Sequence, residues 1–265
     1  LPEQMTAMGA ISGKTAERAP GDTLFYASGS GLDQFLKMGL DMANSMDEES
    51  QALDEQLEMG TAMLGLSMDD LMGMLSGEYA MVVAPDPAGV GGDASMPVGV
   101  SVLLEAKDQD KFEKLINSVN TLLTFGGEEA LSEEKINDVN VVTMPNPDGS
   151  GMMVGWGVGN GFFAGGTNNE LLQAAFGGAD TRLVDDATYK AATKDLPSQY
   201  AGLMYMNIEG LLDTMAPTMS VDDKQSFDEA RPVLDPIKAI AAAMEPFSAS
   251  KTSASGKIFI LMKSE

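Results

Sequence analysis

A strand-to-helix phrase that occurs twice constrains this chain more than any other feature. Pro20-Gly-Asp-Thr-Leu-Phe-Tyr26 runs on through four residues to Gly31-Leu32, and Pro197-Ser-Gln-Tyr-Ala-Gly-Leu-Met-Tyr205 runs on through four residues to Gly210-Leu211. In each copy a proline opens an apolar stretch ending in Tyr, a short polar turn follows, and Gly-Leu begins a run with helical spacing. The repeat implies a scaffold of two related strand-helix halves, the second beginning near residue 197.

The rest of the pattern alternates short strands with helices. Thr23–Ala27 reads as the first strand, and Leu32, Phe35, Leu36 and Leu40 recur at the spacing of an amphipathic helix. Helices are predicted over Glu49–Leu64 and Met68–Leu75, followed by a strand over Tyr79–Ala84 that Pro85 stops. Pro97–Leu104 is an almost continuous apolar run, read as a buried strand. It leads into a helix over Lys107–Leu123. Strands are predicted at Ile136–Met144, Met152–Val158 and Phe162–Ala164, the last two joined by the hairpin turn Asn160-Gly161. Helices then cover Glu170–Phe176, with Thr167 or Asn168 as its cap, and Asp186–Lys194. The alanine-rich stretch Asp222–Met244 is predicted helical, bent or split by Pro232 and Pro236, and Ser248–Ser253 and Lys257–Lys263 are predicted to pair as strands. This is an α+β pattern with mainly antiparallel sheet and inserted helices. Residues 1–19 show no clear period and read as an N-terminal arm or linker, leaving 20–265 as one unit.

Composition removes several function classes. Asp and Glu number 40 against 16 Lys and Arg, a net charge of −24. Phosphate backbones and anionic lipids bind clusters of Lys and Arg, so nucleic acid and acidic membranes are poor partners for this surface. The same acidity suits a salty or calcium-containing medium, where self-repulsion is screened and calcium associates weakly with the carboxylates. The chain has neither Cys nor His. That closes thiol nucleophiles, imidazole relays and thiolate or imidazole metal sites. Absence of Cys also fits passage through an oxidising envelope. No apolar stretch reaches the roughly 18–20 residues of a membrane span.

Taken in order, the phrases resemble the bacterial domain-of-unknown-function family 3352. The resemblance rests on Pro20-Gly-Asp-Thr, on Leu75-Ser-Gly-Glu-Tyr79, and on Val102-Leu-Leu-Glu-Ala-Lys-Asp108 leading into the Phe112 helix. It is strongest from Gly159-Asn-Gly-Phe-Phe-Ala-Gly-Gly-Thr167 through Leu183-Val-Asp-Asp-Ala-Thr-Tyr189 to Leu196-Pro197. It implies an envelope or secreted location. It supplies no catalytic residue, because its motifs are the glycines, prolines and strand residues that turns and sheets require.

Local patterns that suggest sharper chemistry fail on their spacing. Gly13-Lys14-Thr15 looks like the end of a phosphate-binding loop, but that loop needs a glycine where Met8 stands. Asn146-Pro-Asp148-Gly-Ser150-Gly151 resembles half of a calcium loop, but its twelfth position is Gly157 rather than Glu. It reads as a hairpin turn.

Methionine is the remaining signal, with 21 residues, nine of them between Met38 and Met81. Met38, Met42 and Met46 share one helical stripe, and Met59 and Met63 repeat the spacing in the next helix. Such stripes either pack between helices or form an adaptable interface. The expectation is therefore a non-catalytic extracytoplasmic protein, with no catalytic, cofactor-binding or metal-binding residues. It works by contact with other proteins, as a self-assembling surface or filament subunit or an accessory subunit of an envelope complex, with those five methionines as the candidate interface. The alternative is a monomeric module binding a peptide or apolar small molecule between helices and sheet.

Overall fold

A computed structural model describes residues 9–46, 51–125, 131–146, 152–219, 221–246 and 255–263. Its frame is a ten-stranded, wholly antiparallel sheet, ordered β10-β9-β8-β1-β2-β3-β7-β6-β5-β4. The strands are β1 (Phe25–Gly29), β2 (Tyr79–Pro85), β3 (Val98–Glu105), β4 (Ser132–Ile136), β5 (Val139–Pro145), β6 (Met152–Gly159), β7 (Phe162–Gly166), β8 (Gly202–Asn207), β9 (Ile237–Met244) and β10 (Gly256–Met262). The helices are α1 (Leu32–Met46), α2 (Gln51–Met63), α3 (Met68–Leu75), α4 (Gln109–Phe125), α5 (Asn169–Ala175), α6 (Ala187–Thr193), α7 (Ile208–Met215) and α8 (Val221–Leu234). The fold is α+β, as the sequence pattern predicts.

The two tyrosine phrases supply β1 and β8, which lie side by side as interior strands of the sheet. Local chemistry explains many of the boundaries. Ser67 and Asp70 form a capping box at the start of α3. Asn168 accepts from the Leu171 N–H to start α5 and Asp186 accepts from Tyr189 N–H to start α6. Asn160 and Gly161 both have positive φ, 51° and 83°, as the tight β6–β7 hairpin requires.

One face of the sheet carries the core. Tyr26, Tyr205, Val82, Leu103, Ala164 and Val141 point into it and are fully buried beneath Leu172, Phe176, Leu183 and Tyr189, which come from α5, α6 and the turns beside them. Tyr189 packs edge-on against both Tyr26 and Tyr205, with ring centroids 6.4 and 5.1 Å away. A smaller cluster joins α3 and α4 to the opposite face, where Phe112 stacks on Phe163 beside Leu104 and Val158.

Two expectations need correction, and a third falls outside the described residues. The predicted helix over 222–244 ends at Leu234, and Ile237–Met244 is β9, a strand with neighbours on both sides. Pro236 cannot continue a helix, and Ala239, Ala241 and Ala243 alternate inward where only small side chains leave room for the tyrosine layer. Alanine's helix propensity is overridden by this packing. Lys257–Lys263 supplies β10, which pairs with β9; its expected partner, Ser248–Ser253, lies outside the described residues. Finally, the expected strand 136–144 is two strands, β4 and β5, turned at Asn137-Asp138, both with positive φ. The missed strand, Ser132-Glu-Glu-Lys-Ile136, is the sheet edge and charged as edges are.

The segment read as an arm is anchored from Ile11 onward, while residues 1–8 lie outside the described residues. Ile11, Thr15, Ala16 and Ala19 are buried. The carboxylate of Glu78, itself only 4% exposed, holds this segment through five hydrogen bonds. Its Oε2 accepts from the N–H and hydroxyl of Ser12 and the N–H of Gly13, at 2.9, 3.1 and 3.0 Å. Its Oε1 accepts from the N–H and hydroxyl of Thr15, at 3.0 and 2.6 Å. The Gly-Lys-Thr sequence thus wraps an anion, but that anion is the protein's own side chain.

Candidate functional site

The opposite face of the sheet is the feature that packing leaves unexplained. Because side chains alternate along a strand, burying Tyr26, Val82, Leu103, Leu203 and Ala241 turns their neighbours to the other side. The ladder registers align those neighbours into two rows running across six strands. One row is Ile258, Ala242, Met204, Ala27, Met81 and Val102. The second is Ile260, Ile240, Met206, Phe25, Val83 and Val100.

All twelve are apolar and none is buried. Ile258 is 72% exposed, Val102 and Ile260 50%, Met81 42% and Met204 38%. Six strands at about 4.8 Å spacing make this an apolar trough roughly 24 Å across. Contiguous exposed apolar surface of that extent marks a contact or ligand site more often than chance scatter.

The first row continues in register through Gly165 to Trp156. There the trough meets a cavity of about 430 Å³ between α4 and the sheet, lined by apolar residues including Leu115, Val119, Leu123, Val154 and Phe163. The indole N–H of Trp156 donates to Asn120 Oδ1 at 3.1 Å, which ties the ring to α4. At the other end of the trough a shallow depression of about 610 Å³ runs from β2 to β10, with Phe35 of α1 at its margin.

The predicted methionine interface lies elsewhere, on the helices. Met42, Met59 and Met63 are 54, 61 and 69% exposed and Met38 is half-buried. The side chain of Met46 lies outside the described residues. Of the two expectations for this stripe, packing between helices fails at Met59 and Met63. The sheet methionines Met81, Met204 and Met206 were not singled out by sequence reasoning. Their signal was the lack of polar alternation in Tyr79–Ala84 and Leu203–Met206, a pattern that reads as a strand buried on both sides.

Charge is absent from both rows and gathers at the rim of the fold. Lys14 Nζ lies 2.6 Å from Glu105 Oε1, next to the Glu78 cradle. Burial pushes the Glu105 carboxyl up, but Lys14 and the Glu78 N–H outweigh that and hold it below the usual range. The Lys14 ammonium is correspondingly raised, chiefly by its hydrogen bond to Glu105. Among the described residues no group of three or more Asp or Glu converges to hold a metal ion, and no helix is long and apolar enough to cross a membrane.

The profile of the family described as "Protein of unknown function (DUF3352)" matches residues 2–262. The chain belongs to the DUF3352 family. The phrases that carried the resemblance are structural in this DUF3352 protein. Glu78 of Leu75-Ser-Gly-Glu-Tyr79 anchors the N-terminal segment, and Asp186 and Tyr189 cap α6 and pack its tyrosines. No curated protein matches the chain significantly. Among solved structures it is similar to crystal form III of TP0453, with 7% identity, a TM-score of 0.40, and coverage of 93% of this chain and 79% of that one. Crystal form IV of TP0453 gives 7% identity, a TM-score of 0.39, and coverage of 92% and 78%. At these values the likeness carries no functional argument for the DUF3352 protein.

Proposed function

We propose that this protein is a non-catalytic, extracytoplasmic contact protein that self-assembles through the apolar trough on its sheet. The observation that carries the reading is the pair of uncharged rows spanning β10 to β3. Two such faces stacked sheet on sheet bury each other's rows as a β-sandwich does. A net charge of −24 per copy opposes that approach, and salt or calcium screens it. Lack of Cys and His supports the non-catalytic part. The paired phrases support an origin in two related halves. In each, a strand leads through helices to a neighbouring antiparallel strand, β1 to β2 and β8 to β9.

Light scattering tests the reading. The native protein is expected to weigh a multiple of 27.8 kDa, with the mass rising on addition of salt or calcium. The paired variant Met81→Asp with Met204→Asp is expected to remain folded and monomeric. A monomer of unchanged mass under every condition defeats self-assembly.

The cavity under α4 favours a second reading, a monomeric module that holds an apolar small molecule or peptide segment. Its volume of about 430 Å³ lies in the usual range for ligand pockets. Saturable change in the emission of Trp156 on titration with an apolar fluorescence quencher supports it, and an unresponsive Trp156 counts against it.

A further inference from the structure

The other flank of α4 opens on a second cleft, of about 400 Å³, whose chemistry is opposite to that of the apolar cavity. Helical spacing puts Gln109, Glu113, Asn117 and Asn120 along that flank. Facing them are Glu133 of β4, Asn137 and Asp138 of the β4–β5 turn, Asn140 of β5 and Asn160 of the β6–β7 turn. The apolar lining comes from Ile116, Val139, Val142 and Val158. Among the described residues, no lysine or arginine lines the cleft.

Hydrogen bonds already made within the protein determine which end of several amides is spare. Asn137 Nδ2 donates to the Gln173 carbonyl and Asn160 Nδ2 to the Phe176 carbonyl. Gln109 Nε2 donates to Glu113 Oε1. Each of these three side chains has committed an N–H group and keeps its carbonyl oxygen. With the carboxylates of Glu113, Glu133 and Asp138 these make a ring of acceptors, to which Asn120, its Oδ1 taken by Trp156, is the exception. Their counterpart is a ligand rich in N–H donors and positive charge.

Two further observations narrow the class. No three carboxylates converge among the described residues, so the oxygens are spread around the cleft rather than focused on one metal ion. The valine floor suits methylene groups between the charged points. We propose that this cleft binds an aliphatic polyamine, its ammonium groups on the amide and carboxylate oxygens and its methylenes over Val139, Val142 and Val158. The net charge of −24 raises the local concentration of such a cation. Nothing in this proposal depends on self-assembly.

Isothermal titration calorimetry of the full chain with spermidine, at about 150 mM salt to suppress diffuse attraction, decides it. Glu133 and Asn117 are exposed and their side chains make no hydrogen bond among the described residues, so Glu133→Gln and Asn117→Ala leave the fold intact. The expected result is one saturable site, weakened about tenfold or more by Glu133→Gln and measurably by Asn117→Ala. Glu58→Gln, on α2 and outside the cleft, should leave the affinity unchanged. The proposal is overturned if no saturable heat appears, or if all three variants bind as the parent does, which is diffuse condensation on an acidic surface. Competition by calcium or sorbitol at concentrations as low as spermidine's overturns it too.

Discussion

Tyr26 lies directly opposite Tyr205 across the β1–β8 ladder, and Tyr189 of α6 packs edge-on against both. The three rings join β1 and β8 to the helical layer above them. Their hydroxyls differ. Tyr26 Oη shares a 2.7 Å hydrogen bond with Thr15 Oγ1, the hydroxyl that also donates to Glu78. Tyr205 Oη is buried and has no partner among the described residues.

Opposite outcomes are therefore expected on removing each hydroxyl. Tyr26→Phe should cost about 1 kcal/mol, since it breaks a made hydrogen bond and disturbs the Thr15 hydroxyl. Tyr205→Phe should be neutral or slightly stabilising, because it removes an unsatisfied buried group. Urea denaturation of the two variants beside the parent measures the difference. Equal destabilisation by both would show that the hydroxyls are equivalent.

Glu78→Gln should destabilise the fold by about 2–4 kcal/mol, because a buried acceptor shared by five donors gains an N–H group that faces them. The loss should begin at the N-terminal segment. Amide hydrogen exchange over residues 11–19 is expected to accelerate well before that of β1. Uniform acceleration across the sheet would mean that the segment is not held by Glu78.

All five tyrosines, 26, 79, 189, 200 and 205, have phenols raised by burial. A raised folded value means that the neutral phenols favour the fold below the ordinary tyrosine pKa of about 10. That stability declines as pH climbs above it. Absorbance at alkaline pH should show tyrosinate formation delayed past the ordinary range, its main step coinciding with loss of near-ultraviolet circular dichroism. Independent ionisation of the buried rings in folded protein would contradict the packing.

Asp70 gives the acid limb. Lys111, at 2.6 Å, followed by the Ser67 N–H and hydroxyl, holds its carboxyl well below the usual range. A depressed folded value stabilises above the ordinary carboxylate pKa of about 4, and the benefit is lost as pH falls through the folded value. Asp70→Asn should therefore lower the melting temperature at pH 7, with the gap to the parent closing as pH falls below 4. A gap independent of pH would assign the effect to the helix cap alone.

Much of the local structure was legible in the sequence, because it depends on neighbours a few residues apart. Met68–Leu75 is a helix within its predicted bounds, Asn168 is the cap of α5, and Asn160-Gly161 is the hairpin turn. Of the candidate site, the excess of methionine was visible, but which methionines face a common surface was not. Met81 and Met204 are 123 residues apart in sequence and join one row only because β1 lies between β2 and β8.

The sequence by itself determined most of the elements, the mainly antiparallel class and the chemistries closed to a chain without Cys or His, since periodicity, turn residues and composition act locally. Only the tertiary structure decided that Ile237–Met244 is a strand, that Gly13-Lys14-Thr15 encloses Glu78, and which sheet face stays bare. Each of those outcomes turns on strand order. Long-range pairing sets which side chains compete for the core, and an apolar residue left over on the far face looks the same in sequence as one that is buried.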